Sequence, residues 1–148
     1  MTSPLHVLVG IDGSSASTHA LNWAIGLVGA TGGEITAVHA LGLLTHLDDD
    51  SVVPAASHRS ETAVRFEQEW CRPLVDGSVT YRCLLVDGDP VTSLLRAARD
   101  QEADLIVVGA RGTGGHPGLL LGSTSLQVVH ESDRPVTVVP LHTAETSH

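Results

Sequence analysis

The chain has 148 residues, 42% hydrophobic and 17% charged, a composition of one globular domain with room for a core that must be aliphatic because only 3% of residues are aromatic. A formal net charge of −9 argues against nucleic-acid binding, which needs a basic face, and no apolar run approaches membrane-spanning length. The opening MTSPLHVLVGID lacks the charged flank and cleavage site of a signal peptide, so a cytoplasmic protein with no membrane or nucleic-acid partner is expected.

Leu5–Ile11 is a β-rich run without helical periodicity and reads as a central strand. Asp12-Gly13-Ser14-Ser15 combines turn and N-cap chemistry, and a helix follows to about Ala30 with Ala20, Leu21, Ala24, Leu27 and Val28 on one face and Ser17, Asn22 and Gly29 elsewhere. Glu34–Ala40 is the second strand. Leu41–Ala56, with three consecutive aspartates and Pro54, reads as a loop. A second helix is expected from about residue 55 to Trp70 or Cys71, its Ala63, Phe66 and Trp70 at three- and four-residue spacing, with Pro73 halting it. Val79–Val86 is the third strand, and Asp89-Pro90 supplies an N-cap and first residue for a helix that buries Val91, Leu94, Leu95 and Ala98. Cys71 and Cys83 are too widely spaced for a CxxC redox or zinc pair, and both read as packing residues.

The chemistry concentrates in 104–132, DLIVVGARGTGGHPGLLLGSTSLQVVHES. Leu105–Val108 is an unbroken apolar run that suits a strand covered on both faces, and glycines follow at 109, 112, 114, 115, 118 and 122. Ser123 or Thr124 then caps a helix with Leu126, Val128 and Val129 at helical spacing. Strand, glycine-rich loop and helix N-terminus in that order suit a phosphate: bare backbone allows close approach, and the first helical turn offers N–H donors with a favourable dipole. No Gly-Lys-Ser/Thr follows, and the spacing is not GxGxxG. After Arg134-Pro135, Val136–Val139 is a last strand, and residues 141–148 form a tail with little to pack. Five strands alternating with four helices make one α/β domain on a parallel sheet with right-handed crossovers, which binds ligands at the carboxyl ends of strands where strand order reverses.

The spacing Gly109, two residues, Gly112, nine residues, Gly122-Ser123 resembles the nucleotide-binding signature of the universal stress protein family, G-x2-G-x9-G-(S/T). The opening VGIDGSSAS, the Gly88-Asp89-Pro90 triplet and RPVTVVP are also similar to that family, so the resemblance spans Leu5–Val139. It implies a Rossmann-like five-stranded parallel sheet of order 3-2-1-4-5 with helices on both faces. It further implies ATP, with Mg²⁺ on the phosphates, held at the first strand end by Gly10, Ile11 and Asp12, with Val38 as an apolar wall for adenine. Val108, Gly109, Arg111, Gly112, Gly122, Ser123 and Thr124 would cradle ribose and phosphates. The loop is richer in glycine than the family's usual loop, and Thr124 stands where a small apolar residue is common.

From the residues alone, Asp12 reads either as a helix cap or as a ligand contact. Arg111, inside the glycine segment of an acidic protein, has an obvious use against phosphate. His39, His46, His116 and Asp48–Asp50 lack the spacing of a metal site, although His39 lies beside the expected adenine wall. The expected function is a regulatory adenine-nucleotide switch in a stress response. The alternatives are a slow ATP hydrolase, for which no positioned base or Walker lysine is found, and a dimeric interaction module without nucleotide. A homodimer is expected through the apolar edge Val136–Val139.

Overall fold

The computed structural model describes residues 4–41, 55–110 and 123–140. Most of the loop expected at 41–56, the glycine-rich segment 111–122 and the tail 141–148 lie outside the described residues. Five parallel strands, β1 (His6–Gly10), β2 (Glu34–Ala40), β3 (Thr80–Val86), β4 (Leu105–Gly109) and β5 (Val136–Val139), form one sheet in the order β3-β2-β1-β4-β5. The helices are α1 (Ser15–Thr31), α2 (Ala55–Arg65), α3 (Arg72–Asp76), α4 (Pro90–Asp100) and α5 (Ser123–Glu131).

The apolar runs become strands because both their faces are covered. Val7 and Val9 enter a cluster with Ala20, Leu21, Ala24 and Val28 of α1, with Phe66 and with Leu74 of α3, whereas Leu8 joins Val38, Ile106 and Val108 under Leu94 and Ala98 of α4 and Val128 of α5. Val7, Leu8 and Val9 are fully buried, which stabilises the fold by about 1.5–3 kcal/mol for each side chain. At the strand starts, Asp104 accepts from the His6 N–H at 2.9 Å and returns its own N–H to the His6 carbonyl at 2.7 Å, setting β4 against β1.

Three sequence expectations change. Pro73 does not stop a helix: the second helical stretch breaks into α2, a π-helical turn over Phe66–Trp70 and the short α3, with Pro73 in the first turn of α3, where a missing N–H costs nothing. The turn is closed by Cys71 N–H donating to the Phe66 carbonyl at 2.9 Å, and it buries Phe66. Ser17 is buried rather than turned outward, because its hydroxyl is satisfied inside the α1 entry. On α5, Leu126 and Val129 are 48% and 43% exposed, and Ser125 and Val128 face the sheet instead.

Candidate functional site

The strand order reverses between β1 and β4, and α1 and α5 begin at the carboxyl ends of those two strands. Gly10 stands opposite Val38 in the ladder, and a Cβ built on it would lie 3.5 Å from Val108, so the ends of β1, β2 and β4 meet there. The same Cβ would press the end of the Leu94 side chain of α4 at 3.2 Å. Val38 is only 1% exposed and packs into the cluster beneath α4. Ile11 points to the opposite face, its N–H donating to the Val38 carbonyl at 2.8 Å.

Asp12 follows as the head of a tight turn. Its Oδ1 accepts from the Ser14 N–H at 2.9 Å and the Ser14 hydroxyl at 2.5 Å, while its own N–H donates to Ser17 Oγ at 3.2 Å. Ser14, with extended backbone, is the N-cap of α1: its Oγ accepts from the Ser17 N–H at 3.1 Å. Asp12 therefore braces the capping residue instead of capping the helix itself. Gly13 has φ of +84°, and a Cβ there would sit 2.6 Å from the Trp70 indole, so both backbone and space require glycine.

His39, one residue past Val38, holds the same turn from behind. Its Nδ1 lies 2.7 Å from the Ile11 carbonyl. Because a carbonyl only accepts, that nitrogen carries the proton. The imidazole meets the Trp70 indole edge-on at 5.0 Å and lies 5.9 Å from Phe66, and the Arg65 guanidinium stands 5.5 Å from the centre of the indole. Asp12 is thus flanked by Ile11, gripped by His39, and Gly13, covered by Trp70.

At the end of β4, a Cβ on Gly109 would meet the Ala16 carbonyl oxygen at 2.6 Å, so the close passage of α1 requires this glycine. The Ser125 hydroxyl donates to the Gly109 carbonyl at 2.5 Å, and Ala110 N–H donates to the Val139 carbonyl at 2.9 Å. The first of these bonds docks the N-terminal turn of α5 onto the end of β4. Ser123 and Thr124 are the first two residues of α5, inside the helix rather than at the capping position expected, and both are exposed. The structure therefore gathers Gly10, Ile11, Asp12, Val38, Val108 and Gly109 at the carboxyl ends of the inner strands β1, β2 and β4, with the helix carrying Ser123 and Thr124 docked to β4. Arg111, Gly112 and Gly122 lie outside the described residues.

Nothing in the sequence marks Ser125, Ser17 and Trp70 together as part of the site. A serine three places after the signature glycine is a local hint for the first, whereas Trp70 reaches Gly13 only through tertiary packing. Among the described residues no three His, Cys, Asp or Glu side chains gather as a metal site. A cavity of about 360 Å³ lies elsewhere, between β3 and α4, lined by Leu84, Val86, Ser93, Arg96 and Asp100, and contains no signature residue.

The sequence model of the Universal stress protein family matches residues 5–140. A universal stress protein from Thermus aquaticus is 34% identical over 134 residues, covering 90% of this chain and 96% of its own. Among solved structures, the hypothetical protein MJ0577 superposes with a TM-score of 0.82 at 21% identity, covering 96% of this chain and 99% of that one, and shares the fold. A universal stress protein in complex with cAMP superposes with a TM-score of 0.68 at 27% identity, covering 93% and 98%. With the sheet order, the family match and the Thermus relative in agreement, the chain belongs to the universal stress protein family.

Proposed function

We propose that this protein binds ATP at the carboxyl ends of β1 and β4 and acts as a cytoplasmic, nucleotide-dependent switch in a stress response. The observation that carries the reading is the docking of α5 on β4 through Ser125 and Gly109, which sets an exposed helix N-terminus with two hydroxyls at the carboxyl end of β4, the strand next to β1 and its Asp12 turn. The residues present fit an adenine nucleotide. The N–H groups and hydroxyls at Ser123 and Thr124 suit phosphate oxygens, and the Asp12 carboxylate suits a ribose hydroxyl or the base. Gly10, Ile11, Val38, Val108 and Gly109 are the strand-end residues under this position, and the family signature assigns Arg111, Gly112 and Gly122, outside the described residues, to the phosphates. Mg²⁺ bound with ATP would offset phosphate charge that a protein of net charge −9 does not offset through its overall field. The relative solved with cAMP supports the nucleotide class.

Calorimetric titration with ATP, AMP and cAMP tests the reading. Gly122→Glu places a carboxylate and a side chain directly before Ser123 and is expected to abolish binding while the far-ultraviolet circular dichroism is kept. Wild-type affinity in that variant rejects the site. The switch is tested by tryptic cleavage after Arg111, which is expected to slow when ATP is added and to be unaffected in Gly122→Glu.

A further inference from the structure

Cys71 and Cys83, twelve positions apart in sequence, meet on the α1 side of the sheet. Cys83 stands on β3 opposite Ala37, and with Leu85 it faces the cluster in which Cys71 is buried, while Leu84 and Val86 face the other side. Both cysteines are free thiols, Cys71 1% exposed and Cys83 half-buried. The two thiols are near enough that each is the largest influence on the other's titration. We propose that Cys71 and Cys83 are a peroxide-responsive dithiol that closes to an intramolecular disulfide and reopens on reduction.

The surroundings divide the roles. The neighbouring Cys71 thiol holds the Cys83 thiol below its ordinary pKa, against burial and the Glu67 carboxylate, which both act to raise it. The Cys83 sulfur, burial and the Glu67 carboxylate push the Cys71 thiol up, so it keeps its proton. Cys83, more accessible and with more thiolate, is the attacking sulfur. Its thiolate attacks one oxygen of hydrogen peroxide, the O–O bond breaks and the departing hydroxide takes a proton to leave as water, giving Cys83 sulfenic acid. Cys71 then gives up its proton as its sulfur attacks that of Cys83, the S–O bond breaks and a second water leaves. Two thiols lose two electrons and one peroxide gains them. The product joins the end of the π-helical turn to edge strand β3, at the opposite side of the sheet from β5.

The chain itself provides a clean assay, because Arg82 lies between the two cysteines and Arg72 is followed by proline. Trypsin therefore releases Cys71 in peptide 66–82 and Cys83 in peptide 83–96. After stoichiometric hydrogen peroxide, the full-length reduced protein is expected to yield these two peptides linked, with a non-reducing gel showing one chain and dithiothreitol restoring both thiols. In Cys71→Ser, dimedone is expected to label Cys83; in Cys83→Ser it is expected to leave Cys71 unlabelled. Wild-type peptides that stay separate, or linkage only between two chains, overturn the proposal whatever the stability of the variants. Dimedone on Cys71 but not Cys83 overturns the division of roles.

Discussion

Gly109 and Gly13 show how much of the site's shape is set by what a single side chain would displace. A methyl group on Gly109 would collide with backbone at the start of α1, which cannot rotate away as a flexible side chain could. Gly109→Ala is therefore expected to destabilise the fold by about 1–3 kcal/mol, the usual cost of forcing extra volume into a packed contact. Urea unfolding checks it: the midpoint should fall while the slope stays constant. The first glycine of the signature thus has a packing role that would operate without any ligand. At Gly13, backbone angle and indole contact act together, and through them Trp70 restrains the residue after Asp12.

At the scale of the element, helix ends do most of the positioning. Asp89 accepts from the Thr92 N–H at 2.9 Å to start α4, and the Ser14 cap starts α1, each as the local sequence implies. The other end of α4 depends on a distant residue. The Arg134 guanidinium donates through one nitrogen to the carbonyls of Ala98 at 3.0 Å and Ala103 at 2.9 Å, tying the end of α4 to the approach to β5. Hydrogen bonds from a charged donor in such a part-buried place are worth about 1.5–3 kcal/mol when lost. Arg134→Ala is expected to cost on the order of 2 kcal/mol, and hydrogen exchange at the amides of Gln101 and Ala103 should accelerate more than exchange in β1. Uniform acceleration across the sheet would instead mean that Arg134 contributes only to global stability.

For the whole molecule, β5 is an edge strand among the described residues, and its outer side is where a second copy could pair. The carbonyls of Pro135 and Val139 accept from Ile106 and Ala110, so strand alternation turns the backbone groups of Val136 and Val138 toward the open edge. Their side chains both pack toward the α4 and α5 side, so a charge at either position would disturb the core as well as an interface. Val138→Pro is the cleaner test: it removes an outward N–H and leaves the β4 ladder intact, as edge strands tolerate. If two copies pair antiparallel through β5, the wild type is a dimer at micromolar concentration and the variant a folded monomer by light scattering. A monomeric wild type removes the dimer.

Local rules were enough to determine the alternation of elements, because strand runs, caps and turn residues act within about four positions of one another. They located β1 through β5 to within a residue or so, the Asp89-Pro90 start of α4 and the Ser14 turn. The sheet order came from the family resemblance, since nothing local says which strands are neighbours, and the structure bears it out. Tertiary structure alone decided where periodicity was ambiguous or a contact spanned distant sequence. Leu126 and Val129 had the spacing of a buried face, but the bond from Ser125 to Gly109 turns α5 so that Val128 is buried and those two are exposed. Pro73 read as a stop because sequence shows the missing N–H but not that the preceding π-helical turn makes it the opening of a new helix. The meetings of Trp70 with Gly13, Gly109 with Ala16, and Cys71 with Cys83 leave no mark in local pattern, since each depends on how α1, the π-helical turn and β3 pack on one face of the sheet.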